Sequence, residues 1–287
     1  PLALGGLAAC AIAAFSFRAG GIEAMSRAPL LFQQDMVHWL ADWWGAKSFV
    51  ARLKVLSQIR PGYLAPVIAL LNGLKDPVVG QSMGQTAENI AYRFNITREM
   101  MDAYSVQSHQ RLHQAQQDGD LSEIVPMFDS KGKLYEHDEG VRADSSIEKL
   151  AKLKPAFDKP YGMVTPGNSS QITDGAASLI LASAEAVEKH DLPVLARLVT
   201  THWAGLRPDE MGLGPAHAIA PLLRSRRLKL ESIDYWEINE AFSSVCLLFM
   251  EEMGIDPDQR YTATMSTSMG DLVIALDHRL RRAVQGR

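Results

Sequence analysis

The polar pair Asn239-Glu240 is the first place to look for chemistry in this chain. It sits inside Asp-Tyr-Trp-Glu-Ile-Asn-Glu-Ala-Phe-Ser-Ser-Val, residues 234–245. The first half alternates Tyr235, Glu237 and Asn239 against Trp236 and Ile238, a spacing that predicts a short strand. From Ala241 onward Phe242, Val245, Leu247, Leu248 and Met250 predict a buried helix. Side chains at a strand-to-helix junction project into the crevice outside the strand's carboxyl end, where the helix N-terminus favours negative charge. The same spacing also allows Asn239 to be no more than the helix cap.

Other reactive residue types are sparse. Cys10 and Cys246 lie far apart, both in apolar helical contexts. They read as reduced, buried thiols in a reducing compartment rather than a disulfide framework. His109 and His113 have the i, i+4 spacing of a metal grip, but no Glu follows His109 and no further ligand is evident, so a solvated face is expected. Ser169 and Ser170 lie in a Gly-Asn-Ser-Ser loop without a nucleophile elbow, which argues against a hydrolase. Gly212-Leu213-Gly214 matches no phosphate-binding fingerprint. Arg52, Lys54 and Arg60 offer charge to a ligand's phosphates or simply to solvent.

The length of 287 residues suggests about two domains. A composition 47% hydrophobic and 22% charged is that of a soluble globular chain, and a net charge of −4 argues against nucleic acid as the main partner. Residues 1–17 are uncharged, but Gly5-Gly6 interrupts them and no basic segment precedes them. A buried helix is therefore expected rather than a membrane span or a signal peptide. The absence of an initiator Met implies a start inside a larger design.

The positioning elements follow from caps and periodicity. Residues 7–17 are Ala-rich and helical by propensity, with Gly20-Gly21 as the stop. Residues 30–79, rich in Trp and Pro, read as an irregular lid or insertion. Ser82 opens a helix ending near Asn95. Thr97 caps a long helix over 98–117, with Gly119 after its end and Met101, Tyr104, Ser108, Leu112 and Ala115 as its inner stripe. A polar, turn-rich stretch follows, and small residues at 175–177 precede a buried strand over 178–182. Residues 194–200 read as another strand. Pro215 starts an amphipathic helix with Ile219, Leu222 and Leu223 inward, ending at the basic run Arg224, Arg226, Arg227.

Four stretches taken together resemble the thiolase family. They are Gly21-Ile22-Glu23-Ala24-Met25-Ser26, the Ser82–Asn89 helix start with the helix after it, Asn168-Ser169-Ser170 leading to Asp174-Gly175-Ala176-Ala177, and Asn239-Glu240-Ala241-Phe242. The likeness covers most of residues 21–255 and is nearest to fatty-acid-degrading 3-ketoacyl-CoA thiolases, including their trifunctional-complex form. It implies an α/β fold with a five-layered α-β-α-β-α core of two similar halves, here 1–192 and 193–287, and an inserted loop domain over 24–166. The chain is then incomplete at both ends, and an internal strand before Gly21 is expected to be missing. The implied activity is acyl transfer, cleaving a 3-ketoacyl-CoA with free CoA or running the reverse Claisen condensation. The implied partners are acyl-CoA and CoA as substrates, with no cofactor and no metal. A homodimer or homotetramer, or a β-oxidation complex, is implied too, in the bacterial cytoplasm or the mitochondrial matrix.

The chemistry of such enzymes needs a cysteine thiolate at a helix N-terminus, assisted by a His, to take the acyl group. An Asn acting through water and a second His stabilise the enolate oxygen, and a further Cys moves the proton. By resemblance Asn239 takes the Asn role and His278 that of the second His. Met83, Ala241 and Phe242 line the acyl pocket, and Ser170 lies near CoA. The family's nucleophile motif aligns onto Ala3-Leu4-Gly5-Gly6-Leu7, with alanine where sulfur is required; Cys10 lies two turns further on. Asp277 and Arg279 replace the Gly and Pro that flank the catalytic His, and no second catalytic Cys follows. Ser266-Thr267-Ser268-Met269 is what a one-nucleotide shift gives from codons for Val-Asn-Val-Asn-Gly, the type of turn the family carries shortly before that His. A divergent polar loop is the alternative.

Overall fold

The computed structural model describes residues 16–255. The first strand, β1 (Ser16–Ala24), pairs antiparallel with the last, β6 (Asp174–Ala182), along all nine residues of each, from Ser16 opposite Ala182 to Ala24 opposite Asp174. The ribbon's end is tied by the Asp174 carboxylate, which accepts from the Ser26 backbone N–H (2.9 Å) and from the Ser26 hydroxyl. Residues 16 and 17 therefore belong to a strand, and Gly20-Gly21 lie inside it instead of ending a helix. The strand thought missing before Gly21 is this segment itself. Helix propensity over so few residues is worth less than a nine-residue ladder. Residues 7–15 lie outside the described part. β6 was expected to be buried, yet every residue of it is exposed.

Residues 30–79 are more regular than their Trp and Pro content suggested. A two-residue pairing of β2 (Leu30–Leu31) with β3 (Val67–Ile68) closes the insertion. Between these strands lie α1 (Gln34–Gly45) and α2 (Phe49–Leu56), and α3 (Ala69–Gly73) follows. Trp39 and Trp43, one turn apart, stack at 5.9 Å, and Trp39 Nε1 donates to the Val55 carbonyl at 2.7 Å.

The centre of the fold is helical. Helix α4 (Met83–Arg93) opens with a capping box: Ser82 Oγ accepts from the Gln85 N–H, and Gln85 Oε1 accepts from the Ser82 N–H. Helix α5 (Arg98–Asp118) starts at its Thr97 cap and stops at Gly119, whose φ of +73° is left-handed. A short hairpin, β4 (Met127–Phe128) and β5 (Leu134–Tyr135), and α6 (Ile147–Leu150) lead to the 163–170 loop. After β6 come α7 (Ala184–His190), then α8 (Gly214–Arg226) with Pro215 in its first turn, and α9 (Ser243–Met253). The strand expected over 194–200 does not form among the described residues. Residues 234–238 likewise form no strand among the described residues and Asn239 is a single bridge position, although Trp236 and Ile238 are buried and Glu237 exposed, as the alternation required.

Helix α9 is apolar all round from Val245 to Met250 and is buried accordingly, with Cys246, Leu248 and Phe249 at its heart and Glu251 and Glu252 exposed at its end. On one side it meets Ile219, Leu222 and Leu223 of α8, and Trp236 packs edge-on against Phe249 at 5.5 Å. On the other, Leu248 joins Ile90 and Ala91 of α4, Met101 of α5 and Leu213. The inner face of α5 is turned from the expected stripe. Met101, Asp102, Ser105 and Val106 are buried, while Tyr104 and Ser108 are half-buried. Two polar side chains sit inward because each has a partner there, as described next.

Candidate functional site

The site is built where the 163–170 loop meets the segment leading into α9. Ser170 N–H donates to the Ala241 carbonyl (2.9 Å), Ser169 bridges to Phe242, and Ser243 N–H donates to the Asn168 carbonyl (3.1 Å). This pairing sets the 241–243 backbone beside the Asn-Ser-Ser loop. Phe242, not Asn239, occupies the cap position of α9, so a mere capping role for Asn239 is excluded. Phe242 is buried with Ala87, Val164 and Val245, and Met83, Phe157 and Ala241 pack against that cluster. The Phe157 and Phe242 rings meet edge to face at 6.0 Å. Phe157 reaches this position because residue 84 is glycine: a Cβ there would lie 2.3 Å from the Phe157 ring.

Two buried carboxylates hold the loop. Glu88, on α4, accepts from the backbone N–H groups of Met163 and Val164, each at 2.9 Å. Asp102, on α5, accepts from Arg98 Nε (2.7 Å) and from Asn168 Nδ2 (3.0 Å). Asn168 also donates to the Met163 carbonyl (3.1 Å) and accepts from the Thr165 N–H (2.8 Å), so its amide is fully engaged. Arg98 Nη2 donates to the Leu150 and Leu153 carbonyls. Ser105 and Ser243 hydroxyls meet at 2.7 Å, joining α5 to the first turn of α9. Both carboxylates are hydrogen-bonded as burial requires, Asp102 to a cation and Glu88 to backbone N–H groups.

The Glu240 carboxylate is gripped from α5: Tyr104 O–H donates to one oxygen (2.5 Å) and Ser108 O–H to the other (2.6 Å). This clamp fixes the segment that carries Asn239 on one side and Ala241-Phe242 on the other. Nearby His109 is half-buried, and its Nδ1 accepts from the Arg142 N–H (3.3 Å). Burial first, and the Arg142 charge second, hold its pKa below the usual imidazole value, against the pull of Glu240 and Asp138. His113 contacts Gln117 instead, and no metal-holding group of His, Cys, Asp or Glu exists among the described residues.

Of the site residues read from sequence, the structure brings Met83, Ala241 and Phe242 into one apolar cluster and binds Ser170 to it through the backbone. Asn239 is half-buried in the same segment, two residues before Ala241. The Ser170 side chain is exposed. His278, Ala3, Cys10 and the 261–270 stretch lie outside the described residues. Sequence reasoning missed Glu88, Asp102 and Asn168 as the loop's supports. One signal was available, because Arg98 and Asp102 have the i, i+4 spacing of a helical ion pair. Glu240 stood in the motif, but its partners are 136 and 132 residues away.

Residues 10–185 match the thiolase N-terminal domain and residues 192–278 the thiolase C-terminal domain. The chain belongs to the thiolase family. It is 38% identical over 246 residues to the beta-ketoadipyl-CoA thiolase of Pseudomonas aeruginosa, covering 84% of this chain and 57% of that protein. With the peroxisomal 3-ketoacyl-CoA thiolase B of Rattus norvegicus it shares 44% over 186 residues, 62% of this chain and 44% of that one. The human mitochondrial 3-ketoacyl-CoA thiolase, solved in complex with CoA, superimposes with a TM-score of 0.74 at 32% identity, over 93% of this chain and 60% of that one. The α/β fold of the thiolases is thus the fold of this chain, which spans about half of the length of the curated relatives it matches. Relatives include peroxisomal and mitochondrial proteins. No helix among the described residues is long and apolar enough to cross a membrane.

Proposed function

We propose that the protein is an acyltransferase of the thiolase type, taking acyl-CoA and CoA as substrates without a further cofactor. It cleaves a 3-ketoacyl-CoA with CoA, or runs the reverse condensation. The observation that carries this reading is the joining of residues 241–243 to residues 168–170 beside the Met83–Phe242 cluster. Two family segments 70 residues apart thereby become one wall with a polar edge and an apolar floor. In this arrangement Asn239 orients the water that meets the thioester oxygen, Phe242, Met83 and Ala241 hold the acyl chain, and Ser170 lies toward CoA. His278 is assigned opposite Asn239, since donors to one oxyanion must converge. Residues 24–166 serve as the loop domain inserted in the N-terminal half, 1–192, and residues 193–287 form the C-terminal half. Such enzymes work as homodimers or homotetramers or within a β-oxidation complex, and the same is proposed here, in cytoplasm, mitochondrial matrix or peroxisome.

A second reading, a thiolase-like protein that binds acyl-CoA without turning it over, is favoured by Ala3 at the nucleophile position. Acetoacetyl-CoA cleavage with free CoA, measured beside acetoacetyl-CoA binding on the same protein, tests both. Cleavage supports the first reading, and its loss in Cys10→Ser would place the nucleophile at Cys10. Binding without cleavage supports the second. Neither binding nor cleavage refutes both.

A further inference from the structure

Glu240 is the ionised group of the Asn239–Phe242 stretch, and the acyl-transfer chemistry gives it no task. Residues 239–241 belong to no helix and no strand, so contacts from elsewhere must decide which way their side chains face. Just before them the chain alternates, with Trp236 and Ile238 buried and Glu237 exposed. Continued by two residues, that alternation sets Glu240 on the side of Trp236 and Ile238, and Asn239 on the other. The position of Tyr104 agrees. It packs against the apolar cluster that holds Trp236 and Ile238, and its hydroxyl meets Glu240 Oε1.

The grip on Glu240 is specific. Tyr104 and Ser108 are i, i+4 on α5, so both hydroxyls come from one face of one helix. Each carboxylate oxygen takes one of them, at 2.5 and 2.6 Å, lengths of charge-assisted O–H···O⁻ bonds. The anchoring helix is itself tied to both walls of the site, through Ser105 to Ser243 and through Asp102 to Asn168. Among the described residues Glu240 forms no ion pair, so neutral donors hold its charge in place and no cation cancels it. A carboxylate released from α5 would compete for the amide N–H of the neighbouring Asn239. It would also set a negative charge near any oxyanion forming there, and like charges in one site oppose each other.

We propose that Glu240 is a positioning residue: held on α5 by Tyr104 and Ser108, it keeps the Asn239 amide turned to the thioester oxygen and keeps its own charge off the enolate. The inference rests on the acyl-CoA reading given above. Its test is the enolisation of bound acetoacetyl-CoA, in which C2 loses a proton to the buffer and the electron pair spreads onto the thioester and ketone oxygens. No turnover enters this readout, so the identity of the nucleophile does not bear on it. The enolate-to-keto ratio of the bound ligand is read from near-ultraviolet absorbance at one fixed pH. Butyryl-CoA, which lacks the ketone, reports binding alone. Wild-type protein should raise the ratio above that of the free ligand. Tyr104→Phe and Glu240→Ala should each lower it at least about tenfold, with butyryl-CoA affinity within about threefold of wild type. Glu240→Gln should recover most of the ratio lost in Glu240→Ala, because a carboxamide bonds both hydroxyls. Circular dichroism checks that each variant is folded. An unchanged ratio in Tyr104→Phe and Glu240→Ala overturns the proposal, and so does Glu240→Gln no better than Glu240→Ala. Butyryl-CoA binding weakened as much as the ratio also overturns it, since the clamp then only holds the fold. Wild-type protein that binds both ligands without raising the ratio overturns the positioning role and leaves the acyl-CoA reading standing. Wild-type protein that binds neither ligand overturns both.

Discussion

Replacing Asn168 by Ala removes the amide that ties the 163–170 loop to α5, and the cost follows from the bonds it makes. The residue is 2% exposed, and its side chain engages Thr165 N–H, Asp102 and the Met163 carbonyl. Stranding the buried Thr165 N–H costs about 1–3 kcal/mol. The Asp102 oxygen loses a hydrogen bond to a charged acceptor, worth about 1.5–3 kcal/mol. Met163 is half-buried, so water replaces the bond to its carbonyl at little cost. The loss should be about 3–5 kcal/mol, a large share of the 5–15 kcal/mol typical of a domain. Urea unfolding followed by circular dichroism measures it, with an unchanged m-value confirming that the unfolded state is the same. Asn168→Asp offers a contrast, because it sets a second carboxylate against Asp102. Its instability should ease as pH falls and one of the pair takes up a proton. A loss under about 1 kcal/mol for Asn168→Ala, or a pH-independent Asn168→Asp, would refute the buried network as the loop's support.

Three further outcomes are expected. His109 has a folded pKa below its unfolded value, so the stability it contributes is present above about pH 6.5 and is lost as pH falls toward the folded value. His109→Gln should flatten that part of the stability–pH curve, whereas an unchanged curve would show that another group controls it. Gly84→Ala should push Phe157 off Phe242 and destabilise by about 1–3 kcal/mol, read by thermal or urea unfolding; wild-type stability would show that the ring has room to move. For residues 261–270, the coding DNA should contain Asn-Val-Asn-Gly in the neighbouring frame, and its absence there disposes of the shifted-frame reading.

Much of the helical scaffold was legible because its signals are local. Ser82, Thr97, Gly119 and Pro215 each act within a turn of their own position, and all four mark helix ends in the structure. The start of β1 was misread as the end of a helix because its partner, β6, lies 150 residues or more further on, where no local propensity points. The inner face of α5 was misjudged for a related reason. Hydrophobic periodicity cannot foresee that Asp102 and Ser105 turn inward, since what admits them are Asn168, Arg98 and Ser243. The candidate site shows the same division. Asn239, Ala241, Phe242, Met83 and Ser170 were readable as motif members, while the Glu240 clamp by Tyr104 and Ser108 became visible only once α5 was in place.

Acyl-CoA is proposed to lie against the wall formed by residues 241–243, residues 168–170 and Met83. Isothermal titration of acetoacetyl-CoA into the wild-type chain and into a Met83→Ala/Phe242→Ala variant tests it most directly. Saturable binding by the wild type, weakened at least about tenfold in the variant, is the predicted result, since each truncation removes apolar surface from the acyl floor. Absence of binding in the wild type, or equal affinity in a folded variant, would contradict the claim.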